Sequence, residues 1–237
     1  TDSWQRLPEE DDGLEQAAAD YFGAAALPVA GSQAAIQELP TLRAPCRVGV
    51  LQPSYSEHAE AWRRAGHSVS GLAATDIAAQ IETLDVLVLC NPNNPDGQCF
   101  PPRTLTDWSR RLAACGGWLV VDEAFIDATP ADSLARLTGQ AGLIVLRSLG
   151  KFFGLAGARV GFVLCTPDLR QALRERLGPW TVSGPAREVA TLALRDRAWQ
   201  QQQMERLNEM LNMLRNQLDS SINEGAKGVP NERPPHY

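Results

Sequence analysis

The chain has 237 residues, of which 44% are hydrophobic and 21% charged, a composition typical of a soluble globular protein. Its 22 basic and 28 acidic residues give a net charge of −6 without a basic stripe, which argues against nucleic acid as the main partner. Its apolar runs are far shorter than the roughly 18 residues of a membrane span. Its five dispersed cysteines contain no Cys-x-x-Cys pair, so we expect reduced thiols in a cytoplasmic protein.

Short apolar segments alternate along the chain with segments of helical periodicity. The first helix is predicted over Pro8–Phe22, and further helices at Ser32–Glu38, Glu57–Ala65, Pro102–Ala114 and Asp168–Leu177. Strands are predicted at Arg47–Leu51, Asp85–Cys90, Trp118–Asp122, Leu143–Arg147 and Arg159–Cys165. Strands that alternate with helices form βαβ units. We therefore predict a three-layer α/β/α sandwich with a mostly parallel sheet.

The pattern changes after about residue 200. Apolar residues then recur on one helical face and predict a long amphipathic helix: Leu207, Met210, Leu211, Leu214 and Leu218. From Asn223 the sequence is polar and rich in Pro and Gly, so we expect a loose tail. We expect residues 1–200 to form one large domain, truncated at its N-terminus because Thr1 is not an initiator Met. Residues 201–237 are expected to hold the helix and tail, with a smaller C-terminal domain missing.

Polar clusters follow several of the predicted strands or precede a predicted helix. They are Gly31-Ser-Gln33, Asn91-Pro-Asn-Asn-Pro-Asp-Gly97, Asp122-Glu-Ala-Phe125, Ser148-Leu-Gly-Lys151 and Arg159. Open α/β sheets bind ligands at the carboxyl ends of their strands, so these clusters are expected to form one site.

One part of this predicted site suits a phosphate group. Ser32 and Gln33 lie at a helix N-terminus, where free N–H groups and the positive end of the helix dipole attract anions. Ser148 would add a hydroxyl group, and Arg159 would add a fork-shaped cation.

The other part suits a flat, basic ring that carries an aldehyde. Asp122 could pair with a protonated ring nitrogen, and Lys151 could form a Schiff base. Asn94 could donate to a phenolic oxygen, and Tyr55 could stack on the ring. Phosphate, pyridinium, phenolate and aldehyde together describe pyridoxal 5'-phosphate.

Residues 31–159 resemble fold-type I pyridoxal-phosphate enzymes of the class I/II aminotransferase group. The resemblance rests on Asn94-Pro-Asp-Gly, Asp122-Glu-Ala-Phe and Ser148-x-x-Lys151, with Arg159 eight residues further on. The spacings of 28 residues from Asn94 to Asp122 and 29 from Asp122 to Lys151 are similar to the family's. Within the group, the sequence looks most like the threonine-phosphate decarboxylases of cobalamin biosynthesis, with histidinol-phosphate aminotransferases as close kin.

The resemblance implies a role for each residue of the predicted site. Lys151 and Asp122 would be catalytic, and the cofactor would be held by Ser32, Gln33, Tyr55, Asn94, Asp122, Ser148, Lys151 and Arg159. It implies a small amino-acid phosphate as substrate, a homodimer and no metal. Phe125 stands where transaminases usually have Tyr, which favours the decarboxylase branch.

Three alternatives stay open. The chain could be a histidinol-phosphate-type aminotransferase, or a truncated relative that is catalytically silent. A simple nucleotide-phosphate binder is disfavoured, because neither Gly-x-Gly-x-x-Gly nor Gly-x-x-x-x-Gly-Lys-Ser/Thr occurs. His58, His67 and His236 show no ligand spacing and are predicted to be surface residues.

Overall fold

The sheet is built from short apolar runs. The computed structural model describes the backbone of residues 2–227 and the side chains of residues 2–220. Its strands are β1 (Leu27–Val29), β2 (Arg47–Leu51), β3 (Ser68–Leu72), β4 (Val86–Cys90), β5 (Trp118–Asp122), β6 (Leu143–Ser148) and β7 (Gly161–Leu164). Its α-helices are α1 (Leu14–Phe22), α2 (Ser32–Glu38), α3 (Ser56–Arg64), α4 (Ile77–Gln80), α5 (Pro102–Ala114), α6 (Pro167–Leu177), α7 (Gly184–Arg195) and α8 (Arg197–Lys227).

These strands form one sheet in the order β1-β7-β6-β5-β4-β2-β3. Strands β3, β2, β4, β5 and β6 are parallel neighbours, and β7 runs antiparallel to both β6 and β1. The register aligns Cys90 of β4 with Asp122 of β5, so the carboxyl ends of the central strands meet at one edge. The prediction of a mostly parallel α/β sheet is confirmed.

The sheet is covered on both faces, as its uninterrupted apolar strands require. Val86 and Val88 lie in a core with Trp62 of α3. The alternating residues Leu87 and Leu89 are also fully buried, on the opposite face because successive strand side chains point to opposite sides. No helix within residues 2–227 is long and apolar enough to cross a bilayer.

Two edge strands and two helices were not predicted from the sequence. β1 is buried, but it has only three residues and one of them is Pro28. β3 is interrupted by serines and Gly71 and carries no apolar run. The short helix α4 and helix α7 were also missed. Proline is disfavoured within strands, which weakens the signal of β1, and the exposed positions of β3 carry polar or small residues, which weakens the signal of that strand.

Two other predicted elements begin at later residues in the structure than the sequence predicted. Helix α1 begins at Leu14 rather than Pro8, because Gly13 has a φ of 88° and the Asp12 carboxylate accepts a hydrogen bond from the Leu14 N–H at 3.1 Å. Arg159 does not open β7, which starts at Gly161.

The chain divides into two compact units, one up to Arg195 and one from Asp196 onward. The second unit contains α8, so the predicted long helix is present. It continues to Lys227, past Asn223, where a loose tail was expected. The rest of that expected tail, residues 228–237, lies outside the described residues.

Candidate active site

A cavity of about 180 Å³ lies at the carboxyl ends of the central strands. All eight residues predicted to hold the cofactor line it: Ser32, Gln33, Tyr55, Asn94, Asp122, Ser148, Lys151 and Arg159. Cys90 and Phe125 line it as well. The structure therefore brings the predicted set together, while the role of each residue stays a prediction.

Asp122, the last residue of β5, forms a buried acidic centre in the cavity wall. One of its oxygens, Oδ1, accepts a hydrogen bond from the Ala124 N–H at 3.1 Å, and Oδ2 lies 3.0 Å from His58 Nε2. Burial alone would lower the pKa of His58, but hydrogen bonds to Asp122 and Cys90 and their charges raise it to about 10. The contact with the Asp122 carboxylate thus favours the protonated form of His58, in which the two side chains form a buried ion pair.

The expectation that the histidines are surface residues is wrong for His58 and His67. His58 is 2% exposed and His67 is 6% exposed, and both rings have hydrogen-bond partners. His58 lies in the first turn of α3, on the side of that helix that faces the sheet. Its partner is 64 residues away, so no local spacing signals the contact. His236 lies outside the described residues.

Lys151 lies in the loop after β6, beside an aromatic ring. Its Nζ atom is 5.3 Å from the centre of the Phe125 ring, and no ion pair with an acid is found for it in the described part of the chain. The preceding turn is closed by the Gly150 N–H, which donates to Ser148 Oγ at 3.1 Å. The amine is thus presented to the cavity without a carboxylate partner, and the hydroxyl hydrogen of Ser148 remains available to donate.

The N-terminus of α2 and the guanidinium of Arg159 meet across a glycine. Gly31 has φ 75° and ψ 156°, a conformation that is essentially restricted to glycine. A Cβ atom at this position would lie 2.6 Å from Arg159 Nη2. Arg159 itself has a φ of 54°, and within residues 2–220 it has no ion pair with an acid. Since the first N–H groups of a helix lack partners within the helix, this corner is ready to bind an anion.

Gln33 and Tyr55 hold one another at the cavity rim. The Tyr55 hydroxyl donates to Gln33 Oε1 at 3.3 Å, and Gln33 Nε2 donates to Glu57 Oε2 at 2.8 Å. Tyr55 is 40% exposed, and partial burial together with the charge of Glu57 raises its pKa. The Gln33 side chain is therefore engaged, which leaves its backbone N–H as the group suited to a phosphate.

The three asparagines of the loop after β4 have different environments. Asn91 closes the loop by two hydrogen bonds with the backbone of Phe100, at 2.8 and 3.3 Å. Asn93 is buried and donates to Pro53 O at 2.9 Å. Asn94 is exposed and lines the cavity. The two buried amides thus shape the loop that presents Asn94.

Three potential metal-ligand atoms also converge in this region. One atom each from His58, Cys90 and Asp122 lies within 4.8 Å of the others. His58 and Asp122 are already paired, and the Ser54 hydroxyl is 3.4 Å from Cys90 Sγ. We assign no metal to these donors, and the absence of a metal stays a prediction.

An α/β sheet with a buried acid, a lysine without an acidic partner among the described residues and an anion-binding corner in one cavity is suited to a phosphorylated cofactor. The family model for aminotransferase class I and II matches residues 6–234. The chain therefore belongs to that family.

The chain is similar to two named enzymes and to one solved structure. The chain is 60% identical over 206 residues to threonine-phosphate decarboxylase from Pseudomonas aeruginosa, covering 86% of this chain and 62% of that protein. It is 44% identical over 195 residues to the protein of the same name from Sinorhizobium sp, covering 79% and 58%. The crystal structure of histidinol-phosphate aminotransferase from Sinorhizobium meliloti in complex with pyridoxal-5'-phosphate has a TM-score of 0.75 and 25% identity, covering 88% and 61%. The chain thus spans about three fifths of the length of these relatives.

Proposed function

We propose that residues 1–200 of this chain are the cofactor-binding domain of a pyridoxal-phosphate-dependent carboxy-lyase. Its reaction would be the decarboxylation of L-threonine O-3-phosphate to (R)-1-aminopropan-2-yl phosphate, a step of cobalamin biosynthesis. The observation that carries the proposal is the 60% identity with the threonine-phosphate decarboxylase of Pseudomonas aeruginosa. The reaction, the cofactor and the residue roles below are parts of this proposal.

The cavity fits pyridoxal 5'-phosphate at both of its ends. At the phosphate end, Arg159 lies without an acidic partner among the described side chains, against a glycine whose missing Cβ leaves it room. Ser32, Ser148 and the N–H of Gln33 are further donors there. At the ring end, the buried Asp122 carboxylate suits a protonated pyridine nitrogen, Asn94 suits the phenolic oxygen, and Tyr55 suits the ring face.

When bound, pyridoxal phosphate supplies a ring that accepts the electron pair released at the substrate's α-carbon. Asp122 would hold the proton on the ring nitrogen, and His58 orients the carboxylate through its 3.0 Å hydrogen bond. Lys151 would supply the amine that attaches the cofactor and then deliver a proton to the α-carbon. In the overall reaction the bond between the α-carbon and the carboxylate breaks, CO2 leaves and a proton takes its place. The reaction therefore needs no oxidant.

Phe125 favours the decarboxylase over the alternative function, a histidinol-phosphate-type aminotransferase. The Phe125 ring offers no hydroxyl to a bound ring oxygen, and it packs against the lysine amine instead. A catalytically silent relative is the second alternative. We further propose a cytoplasmic homodimer, on the basis of the family resemblance and of five cysteines that form no disulfides in the described structure.

The reaction can be tested by measuring two products in parallel. The chain is incubated with pyridoxal phosphate and L-threonine O-3-phosphate, and CO2 and aminopropanol phosphate are quantified. A second reaction adds 2-oxoglutarate and measures glutamate. We expect CO2 without glutamate, and no product from Lys151→Ala. Glutamate without CO2 would favour the aminotransferase, and neither product from a chain that binds the cofactor would favour the silent relative.

A further inference from the structure

A buried cluster of charges lies directly behind the cavity wall. The guanidinium of Arg147 forms ion pairs with Glu123, at 3.5 Å, and with Asp127, and we call these three residues the Arg147 cluster. Their exposed fractions are 0 to 4%. None of the three lines the cavity. The proposed function therefore leaves this cluster without a role.

The cluster joins the ends of the two strands that carry the site. Glu123 follows Asp122 at the end of β5, and Arg147 precedes Ser148 at the end of β6. The Glu123 N–H donates to Leu146 O at 2.9 Å, so the two strand ends are in register. Successive side chains at a strand end point to opposite sides. Asp122 and Ser148 therefore face the cavity, while their neighbours Glu123 and Arg147 meet behind it.

Other contacts fix the cluster from both sides. Ser133 Oγ donates to Glu123 at 2.5 Å, and the Leu134 N–H donates to its other oxygen at 2.7 Å. The Tyr21 hydroxyl donates to Asp127 at 3.0 Å. The guanidinium carbon of Arg147 lies 4.6 Å from the centre of the Phe22 ring. Helix α1, the loop between β5 and β6, and both strand ends thus converge on one guanidinium.

Stability alone is a poor explanation for this arrangement. Burial raises the pKa of Glu123 and of Asp127, which shows that the site disfavours their charges, even though Arg147 acts in the opposite direction. Arg147 Nε is also buried without a hydrogen-bond partner. Well-packed apolar residues are often as stable as a buried ion cluster, or more so. The Arg147 guanidinium, however, also donates directional hydrogen bonds to Asp127 and Ser133, and such charge-assisted bonds add geometric specificity.

We propose that Arg147 is a positioning residue, whose ion pairs with Glu123 and Asp127 set the spacing between Asp122 on β5 and the Ser148–Lys151 turn after β6. This inference rests on the proposed function, because the spacing matters where one cofactor must contact both strand ends. Asp122 would contact its ring, whereas Ser148 and Lys151 would contact its phosphate and aldehyde. A change in the cluster then alters cofactor binding without touching the cofactor.

The chain contains a matched control for a buried arginine. Arg187 is 7% exposed and forms two hydrogen bonds with Asp12, at 2.5 and 2.7 Å, but it does not line the cavity. Arg147→Lys and Arg187→Lys each keep the positive charge but lose the planar guanidinium group with its paired N–H donors. Both variants should lose stability, so only an effect specific to Arg147→Lys reports positioning.

The experiment measures two quantities on wild type and both variants. The first is the dissociation constant of pyridoxal phosphate, with the absorption and circular dichroism of the bound cofactor. We expect Arg147→Lys to weaken binding by about 10- to 100-fold, by analogy with the loss of the residues that orient metal ligands, and to change the spectrum. Arg187→Lys should match wild type in both. If Arg147→Lys does not fold, Glu123→Gln replaces it, because the glutamine keeps the shape and loses one charge.

The second quantity is hydrogen–deuterium exchange of the cofactor-free chain, which does not depend on the proposed function. Arg147→Lys should exchange faster in both residues 122–124 and residues 148–151, and Arg187→Lys should not. Equal exchange and equal affinity in the two variants would overturn the positioning role. A wild-type chain that binds no cofactor would refute the proposed function. Faster exchange at only one of the two strand ends would refute the coupling between them.

Discussion

Replacing His58 by Gln removes the positive charge beside Asp122 and keeps a side chain that can donate a hydrogen bond. Burial alone would lower the pKa of His58, but hydrogen bonds to Asp122 and Cys90 raise it from 6.5 to about 10. This difference corresponds to on the order of 5 kcal/mol of interaction that favours the protonated form. Loss of one partner of a buried ion pair costs a similar amount, about 3–5 kcal/mol. His58→Gln should therefore be strongly destabilised at neutral pH.

The sign of the pH dependence follows from the raised pKa. A group that binds its proton more tightly in the folded chain contributes its full stability below the unfolded pKa, which is 6.5 here. That contribution is lost as the pH rises towards 10. Urea unfolding, followed by circular dichroism at pH 6.5 and at pH values up to 10, should show the gap between wild type and His58→Gln narrowing as the pH rises.

His67→Gln is the control for the loss of a buried ring. The His67 ring contacts Pro40 O and Cys46 rather than an acid. A gap between wild type and His58→Gln that stays constant from pH 6.5 to 10 would refute the charged pair. A gap that widens with pH would refute its sign.

Three further predictions concern the cavity. Gly31→Ala should lower the free energy of unfolding by about 1–3 kcal/mol, because a φ of 75° with a ψ of 156° suits only glycine. Calorimetry should also find that this variant binds pyridoxal phosphate more weakly. Gly66→Ala, at a φ of 86° with nothing within 4 Å of the added Cβ, should lose stability but keep the affinity. Arg159→Met should weaken binding of pyridoxal phosphate more than binding of pyridoxal. Its unfolding midpoint should stay close to wild type, because no acid among the described side chains is paired with Arg159. Equal losses for both ligands would contradict the phosphate role. Asp122→Asn should abolish CO2 release and still permit attachment of the cofactor at the lysine, so a variant with wild-type turnover would contradict its role at the ring nitrogen.

The central strands could be predicted because burial on both faces leaves a continuous apolar run. Val86–Cys90 and Trp118–Asp122 are such runs, and the polar residue that follows or ends each one marks the ligand edge of the sheet. The edge strand Ser68–Leu72 lacks this signal, because its exposed positions carry serine and glycine. Sequence patterns thus predict the middle of the sheet better than its edges.

The residues of the candidate site were predicted from motifs that follow one another in a characteristic order and spacing. The contacts that support those residues were not predicted. Asp122 and Lys151 are 29 residues apart in a recognisable spacing. His58 reaches Asp122 across 64 residues, and Tyr21 reaches Asp127 across 106. Contacts of this kind depend on how helices pack against the sheet. Their geometry exists only in the folded chain and leaves no local pattern.

The central claim is that Lys151 is the residue that binds pyridoxal phosphate covalently. The chain has only two lysines, Lys151 and Lys227, so Lys227 is an internal control. The measurement is borohydride reduction of the chain with pyridoxal phosphate, followed by peptide mapping by mass spectrometry. The account predicts a pyridoxyl label on Lys151 at a ratio near one per chain, and its loss in Lys151→Ala. A folded chain with no label, or with equal labelling of both lysines, would contradict it.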